Sequence, residues 1–211
     1  MNKLILGIEL ILLILALAGS TAAQDYQMIG RFSLGVNIGF YSGSNYASST
    51  AYNGYKTNIS SNLFFGGISV SHWAQEDLAI KFSAGMMTGS ETISITSNNQ
   101  VQDVSAVIPI LIGINYYLPE PLSANRIRTF ISGSIGTYTG HEIKNNILLL
   151  RVNSETVMGA RAGAGVDYIL FKHALLGANL GYNAMNDFSH PIGGKNNYNG
   201  GDFSLQFDYL F

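Results

Sequence analysis

The side chains able to do chemistry are few and widely spaced. His72, His141, His173 and His190 include no pair at the i, i+4 spacing that turns two imidazoles toward one metal ion. Ser71-His72 and Ser189-His190 are neighbours in the chain, but nucleophile-and-base catalysis needs a third group to orient the imidazole, and the sequence spells out no such set. The acidic residues lack calcium-loop spacing. Gly35, Gly39, Gly163 and Gly165 alternate with apolar residues instead of preceding a helix, so they are packing positions and not a phosphate cradle. No basic patch suits nucleic acid. The expectation is a chain with no catalytic residue, no metal and no cofactor.

Six charges are more informative. Arg31, Lys81, Arg161, Asp167, Asp202 and Asp208 fall in stretches where apolar residues alternate with small or polar ones, always on the small-residue side. Enclosed charges are costly unless paired. They are therefore expected to form an ion-pair network inside the molecule, with Arg31 beside Asp208.

Strands must position that network. Period-two alternation marks a ribbon with two unlike faces. In residues 30–41, Phe32, Leu34, Val36, Ile38 and Phe40 oppose Ser33, Gly35, Asn37 and Gly39. Further strands are predicted within 58–73 and at 78–88, 103–118, 127–139, 155–170, 174–183 and 201–211. The alternation slips at Phe64-Phe65-Gly66-Gly67, which reads as a bulge. Pro109 removes a ladder donor from the fourth strand. Connections alternate between short (74–77, 119–126, 171–173) and long (42–57, 89–102, 140–154, 184–200). The fold class is all-β: an eight-stranded antiparallel up-and-down transmembrane β-barrel, with short periplasmic turns and long external loops.

Composition agrees. Of the 211 residues 47% are hydrophobic and 11% charged, against about 25% charged in soluble domains. Hydrocarbon leaves no backbone group free to go unpaired, which demands a closed sheet. A lipocalin-like soluble barrel would turn the apolar face inward, but the opposite face is Ser and Gly, suited to tight interior packing and not to water. Aromatics near strand ends are expected in interfacial belts: Trp73, Tyr168 and Phe171 at the periplasmic level, Phe40, Tyr138, Tyr182 and Phe203 at the outer one.

Residues 1–23 read as a signal peptide, with Lys3, an apolar run from Leu10 to Ala18, and small residues at Thr21 and Ala23; 24–211 is then the barrel domain. In the external loops, Tyr46, Tyr52, Tyr55 and Tyr198 lie among Asn, Ser and Gly, a composition that supplies adaptable contacts. Ile147, Leu148, Leu149 and Leu150 form an apolar run in a long connection, expected to extend a hairpin above the membrane, with a cap or partner contact as the other readings.

The segment 203–211 ends the chain with Phe203, Leu205, Phe207, Tyr209 and Phe211 at alternate positions. With the leader and the loop order, it resembles the small outer-membrane barrels of the OmpA/OmpX type. The resemblance implies that those five residues form the signal read by the barrel-assembly machinery. It also implies delivery by periplasmic chaperones, outer-membrane lipid and lipopolysaccharide as neighbours, and periplasmic termini in a Gram-negative envelope. The expected role is a structural barrel with a polar, largely plugged interior and extended external loops. The alternative is an external-loop adhesion or ligand-binding module with a protein or glycan partner. A narrow solute channel and a lipid-modifying enzyme are minor readings.

Overall fold

The computed structural model describes residues 27–43, 56–58, 63–88, 92–96, 99–119, 126–146 and 149–211. The expected signal peptide lies outside these residues, as do Tyr46, Tyr52, Tyr55, Ile147 and Leu148. Among the described residues ten strands follow in chain order: β1 (Phe32–Gly43), β2 (Lys56–Asn58), β3 (Leu63–Gln75), β4 (Leu78–Thr88), β5 (Thr92–Thr96), β6 (Asn99–Tyr117), β7 (Ile127–Asn146), β8 (Leu149–Phe171), β9 (Ala174–Met185) and β10 (Gly200–Leu210).

Eight of them close into a ring. β1 pairs with β3 on one side and β10 on the other, and the circuit runs on through β4, β6, β7, β8 and β9, every pair antiparallel. This is the expected up-and-down eight-stranded barrel. The two short strands stand outside the ring: β5 folds back on the start of β6, and β2 adds to β5.

The alternation sets which way each ribbon faces. Leu34, Val36, Ile38 and Phe40 on β1 point outward, as do Ile110, Ile112 and Ile114 on β6 and Leu176 and Leu180 on β9. Ser33, Asn37, Ser69, Asn179 and Ser204 point inward and are buried. Ile38 is 58% exposed and Ser33 1%, a contrast that only a barrel greasy on the outside produces.

Two local expectations change. The bulge does not lie at Phe64–Gly67, where β1 and β3 keep one register from Phe32↔His72 to Tyr41↔Leu63. Phe65 is an apolar residue turned inward and Gly66 a small one turned outward, so the face pattern is blurred while the ladder is intact. The irregularity in β3 is between Trp73 and Gln75, next to a tight turn. Pro109 does interrupt its ladder: β4–β6 pairing stops at Ala84↔Ile110 and resumes in the same register at Met87↔Val107.

The belts also need correcting. Phe40, Phe171, Tyr182 and Phe203 face outward as expected, but Trp73 and Tyr138 are buried inside the barrel, 2% and 0% exposed. Both occupy inward positions of their strands, an odd number of residues from outward Val70 and Ile135, so position in the alternation decides which way they face.

Candidate functional site

The interior is layered. At the end with the short turns, Trp73, Tyr117, Phe130, Ile169, Leu175 and Leu210 pack with Ala79 and with Met28, which precedes the first strand. Met28 is held in place because the Glu76 carboxylate accepts hydrogen bonds from the Met28 and Ile29 amides, at 2.8 and 3.0 Å. The Arg128 guanidinium lies 4.1 Å above the Tyr117 ring centroid and donates to the Glu76 carbonyl.

The middle layer is polar. The Arg161 guanidinium grips Asp202 through both carboxylate oxygens, at 2.9 and 2.6 Å. Asn183 donates to the same carboxylate at 2.7 Å and accepts from the Tyr138 hydroxyl at 2.9 Å. Further toward the short turns, Lys81 Nζ donates to Gln206 at 2.7 Å, and Gln206 donates to Asp208 at 2.6 Å. Asp167 accepts from the Tyr117 hydroxyl at 2.8 Å. Glycines make room for these groups: a Cβ at Gly181 would run into the Arg161 guanidinium, and one at Gly35 into the Asp208 carboxylate. Between the charges is a cavity of about 60 Å³, lined among others by Asn37, Lys81, Arg161, Asn179 and Gln206, room for a few waters.

At the end with the long connections a second apolar layer forms. Tyr41, Met87, Val107, Leu111, Tyr138 and Met185 come from the wall, and Phe188, Ile192 and Tyr198 from the connection between β9 and β10. That connection turns at Gly193 and Gly194, both at positive φ, which glycine adopts without strain. Carboxylates of the wall hold it: Glu155 accepts from the amides of Ser189 and His190 at 2.7 and 3.1 Å, and Glu142 from that of Gly193 at 3.3 Å. Glu155 lies beyond Gly159, where β9 stops pairing with β8; the Ser189 hydrogen bonds lower its pKa first, aided by His190. Burial raises the Tyr198 hydroxyl to about 12.

Residues 10–211 match the family of the outer membrane protein beta-barrel domain. The chain belongs to that family. The outer membrane β-barrel proteins of known structure that resemble it share the fold at low identity. A major outer membrane protein from Thermus thermophilus is 13% identical, with 86% of this chain and 99% of that chain covered and a TM-score of 0.56. Neisserial surface protein A is 13% identical, with 86% and 97% covered and a TM-score of 0.53. The attachment invasion locus protein of Yersinia pestis, in complex with the heparin analogue sucrose octasulfate, is 13% identical, with 87% and 100% covered and a TM-score of 0.53. No curated protein matches the sequence.

Within this outer membrane barrel, the six interior charges divide. Lys81, Arg161, Asp167, Asp202 and Asp208 all sit inside, in three separate groups: Arg161 paired with Asp202, Lys81 reaching Asp208 through Gln206, and Asp167 bonded to Tyr117. Arg31 does not pair with Asp208. It precedes the first ladder residue, so its side chain runs along the rim, donating to the carbonyl of Lys172 at 2.8 Å and of Phe211 at 3.3 Å. Asp208 accepts from Gln206 and from Ser33 instead. Phe203, Leu205, Phe207, Tyr209 and Phe211 all face outward.

Tyr198 overturns its reading as an external contact. It is fully buried, and its hydroxyl donates to the Ile192 carbonyl at 2.9 Å. Leu149 and Leu150 pair with Asn146 and Asn145, so the β7–β8 ladder runs on to this level, while Ile147 and Leu148 lie outside the described residues. Sequence reasoning missed both apolar layers and the carboxylates Glu76, Glu142 and Glu155 as chain holders. Strand parity could have found Trp73, Tyr117 and Tyr138; nothing periodic points to Phe188 or Ile192.

Proposed function

We propose that this outer membrane barrel is a structural element whose bore is closed at both ends, the short turns facing the periplasm with both termini. Residues 1–23 are removed on export, and the outward Phe203–Phe211 series is what the assembly machinery reads. The observation that carries the closure is the burial of Phe188, Ile192 and Tyr198 in one mouth and of Met28, Trp73 and Phe130 in the other. Eight strands enclose little more than their own side chains, and here the charges between the two layers are hydrogen-bonded to neighbours. Pure protein in planar bilayers is expected to give no steady conductance; large, lasting steps would overturn the proposal in favour of a channel. N-terminal sequencing of protein from outer-membrane fractions is expected to begin at Gln24.

A second reading concerns contact with the exterior. The β7–β8 hairpin supports it, because its strands of 20 and 23 residues are twice the nine to eleven or so that cross a bilayer. Their pairing runs on to Asn146↔Leu149. Deleting 146–151 is expected to reduce adhesion to host surfaces while leaving barrel formation intact.

A further inference from the structure

The cavity in the middle of the bore has an uneven lining. Among the residues around it, Lys81 and Arg161 carry charge, and no carboxylate takes part. Both cations belong to pairs that point the same way. Arg161 keeps 18% of its side-chain surface, against 1% for its partner Asp202. Lys81 is half-buried, whereas Asp208, which it reaches through Gln206, is 2% exposed. Each pair therefore presents its positive end to the cavity and keeps its negative end against the wall. The third carboxylate, Asp167, is engaged nearer the short turns by Tyr117, whose ring carries the Arg128 guanidinium. Aligned dipoles create a positive potential at their common end without a net charge, as the peptides of a helix do at its N-terminus. In an enclosed site of low dielectric such a potential counts for more than it does in water.

Hydrogen-bonding capacity agrees with the potential. Lys81 Nζ has three protons to give, and one goes to Gln206, at 2.7 Å. Arg161 binds Asp202 through Nε and Nη2, and Nη1 takes no part in that grip. Ser83, Ser132 and Ser204 line the same space, and a hydroxyl rotates freely enough to donate. Asn37 is the exception, a buried acceptor on the lining whose Oδ1 has no hydrogen-bond partner. One water settles it, donating one proton to Asn37 Oδ1 and the other to an anion beside Lys81 and Arg161. The cavity, of about 60 Å³, has room for a halide-sized ion and a water or two.

We propose that the bore binds a small monovalent anion of the halide class, seated between Lys81 and Arg161. The inference goes beyond a structural role, because it makes the stability of the barrel depend on the anions present when it folds.

The test uses the mature chain refolded into detergent micelles in sodium bromide, sodium chloride or sodium gluconate at equal ionic strength, gluconate being too large for the cavity. Crystals grown from bromide are expected to show an anomalous-scattering peak in the cavity, in contact with Lys81 and Arg161. With a dissociation constant of about 10 mM, about 100 mM halide lowers the unfolded-to-folded ratio about tenfold relative to gluconate. The readout is a higher urea midpoint for loss of the compact gel band. Lys81→Gln and Lys81→Met are each expected to reduce that factor to about twofold or less. A halide response equal in wild type and both variants is a general salt effect and overturns the proposal. Bromide peaks confined to the surface, or water alone in the cavity, overturn it as well. Should neither variant fold, the anomalous peak of the wild type decides.

Discussion

The two ends of the barrel interior solve one problem with different materials. At the short-turn end, seven of the eight buried residues come from the strands themselves, and only Met28 is brought in from outside the ladder. At the long-loop end the wall supplies six, and Phe188, Ile192 and Tyr198 are carried in by a folded connection. In both, an acidic side chain fixes the inserted segment by accepting its backbone amides: Glu76 at one end, Glu155 and Glu142 at the other. The first end is thus built from the barrel wall itself, whereas the second is completed by a segment that is not part of the wall.

Substitutions in the wall-built layer should therefore have the largest effect. Trp73→Ala or Phe130→Ala is expected to cost about 4 kcal/mol through a cavity in a closed core, read as a lower urea midpoint for loss of the compact gel band. A fall no larger than that of Phe188→Ala would erase the contrast between the ends.

Next comes the ion pair between the layers. Asp202→Ala leaves the Arg161 guanidinium without its bidentate acceptor and is expected to cost about 3 kcal/mol. Replacing both residues by well-packed neutral ones should restore most of it. A double variant as weak as the single one would mean that the pair's own attraction, and not its isolation penalty, carries the effect.

Smaller still is Tyr198→Phe, which removes one hydroxyl and its bond to the Ile192 carbonyl. About 1 kcal/mol is expected, confined to the 186–199 connection and visible as faster amide exchange there with an unchanged unfolding midpoint. Exchange that quickens throughout the strands would show that the loop and the wall are one cooperative unit.

The smallest expected change is with pH. Hydrogen bonds from Ser189 and His190 lower the Glu155 pKa below its ordinary 4.5. A lowered carboxyl contributes above its ordinary value, and the contribution is lost as pH falls through the lower folded one. Acidification below that ordinary value should thus loosen the 186–199 connection, and Glu155→Gln should abolish that dependence. Amide shifts of Ser189 and His190 that ignore pH in the wild type would remove Glu155 as the holder.

The wall is legible in the sequence because one physical rule governs every strand: lipid outside, small and polar groups within. Residues 78–88 coincide with β4, and the face assignments for 32–40, 160–170 and 203–211 agree with the burial. Trp73 and Tyr138 read as belt residues because an aromatic near a strand end carries the same one-dimensional signal whether it meets lipid or the bore. Arg31 lies just before the ladder begins, where alternation no longer dictates direction. Phe188, Ile192 and Tyr198 belong to a connection without period, and their insertion depends on Gly193, Gly194 and two distant carboxylates that no local pattern links to them.

One consequence follows from the seam between β1 and β10. Ser33 pairs with Leu210, and the amide of Phe211 donates to the carbonyl of Phe32, so the first and last strands complete each other. Closure must therefore wait until β10 has been made. A stop codon shortly before residue 200 would leave β1 and β9 as two raw edges, turning an envelope component into a substrate for quality-control proteolysis.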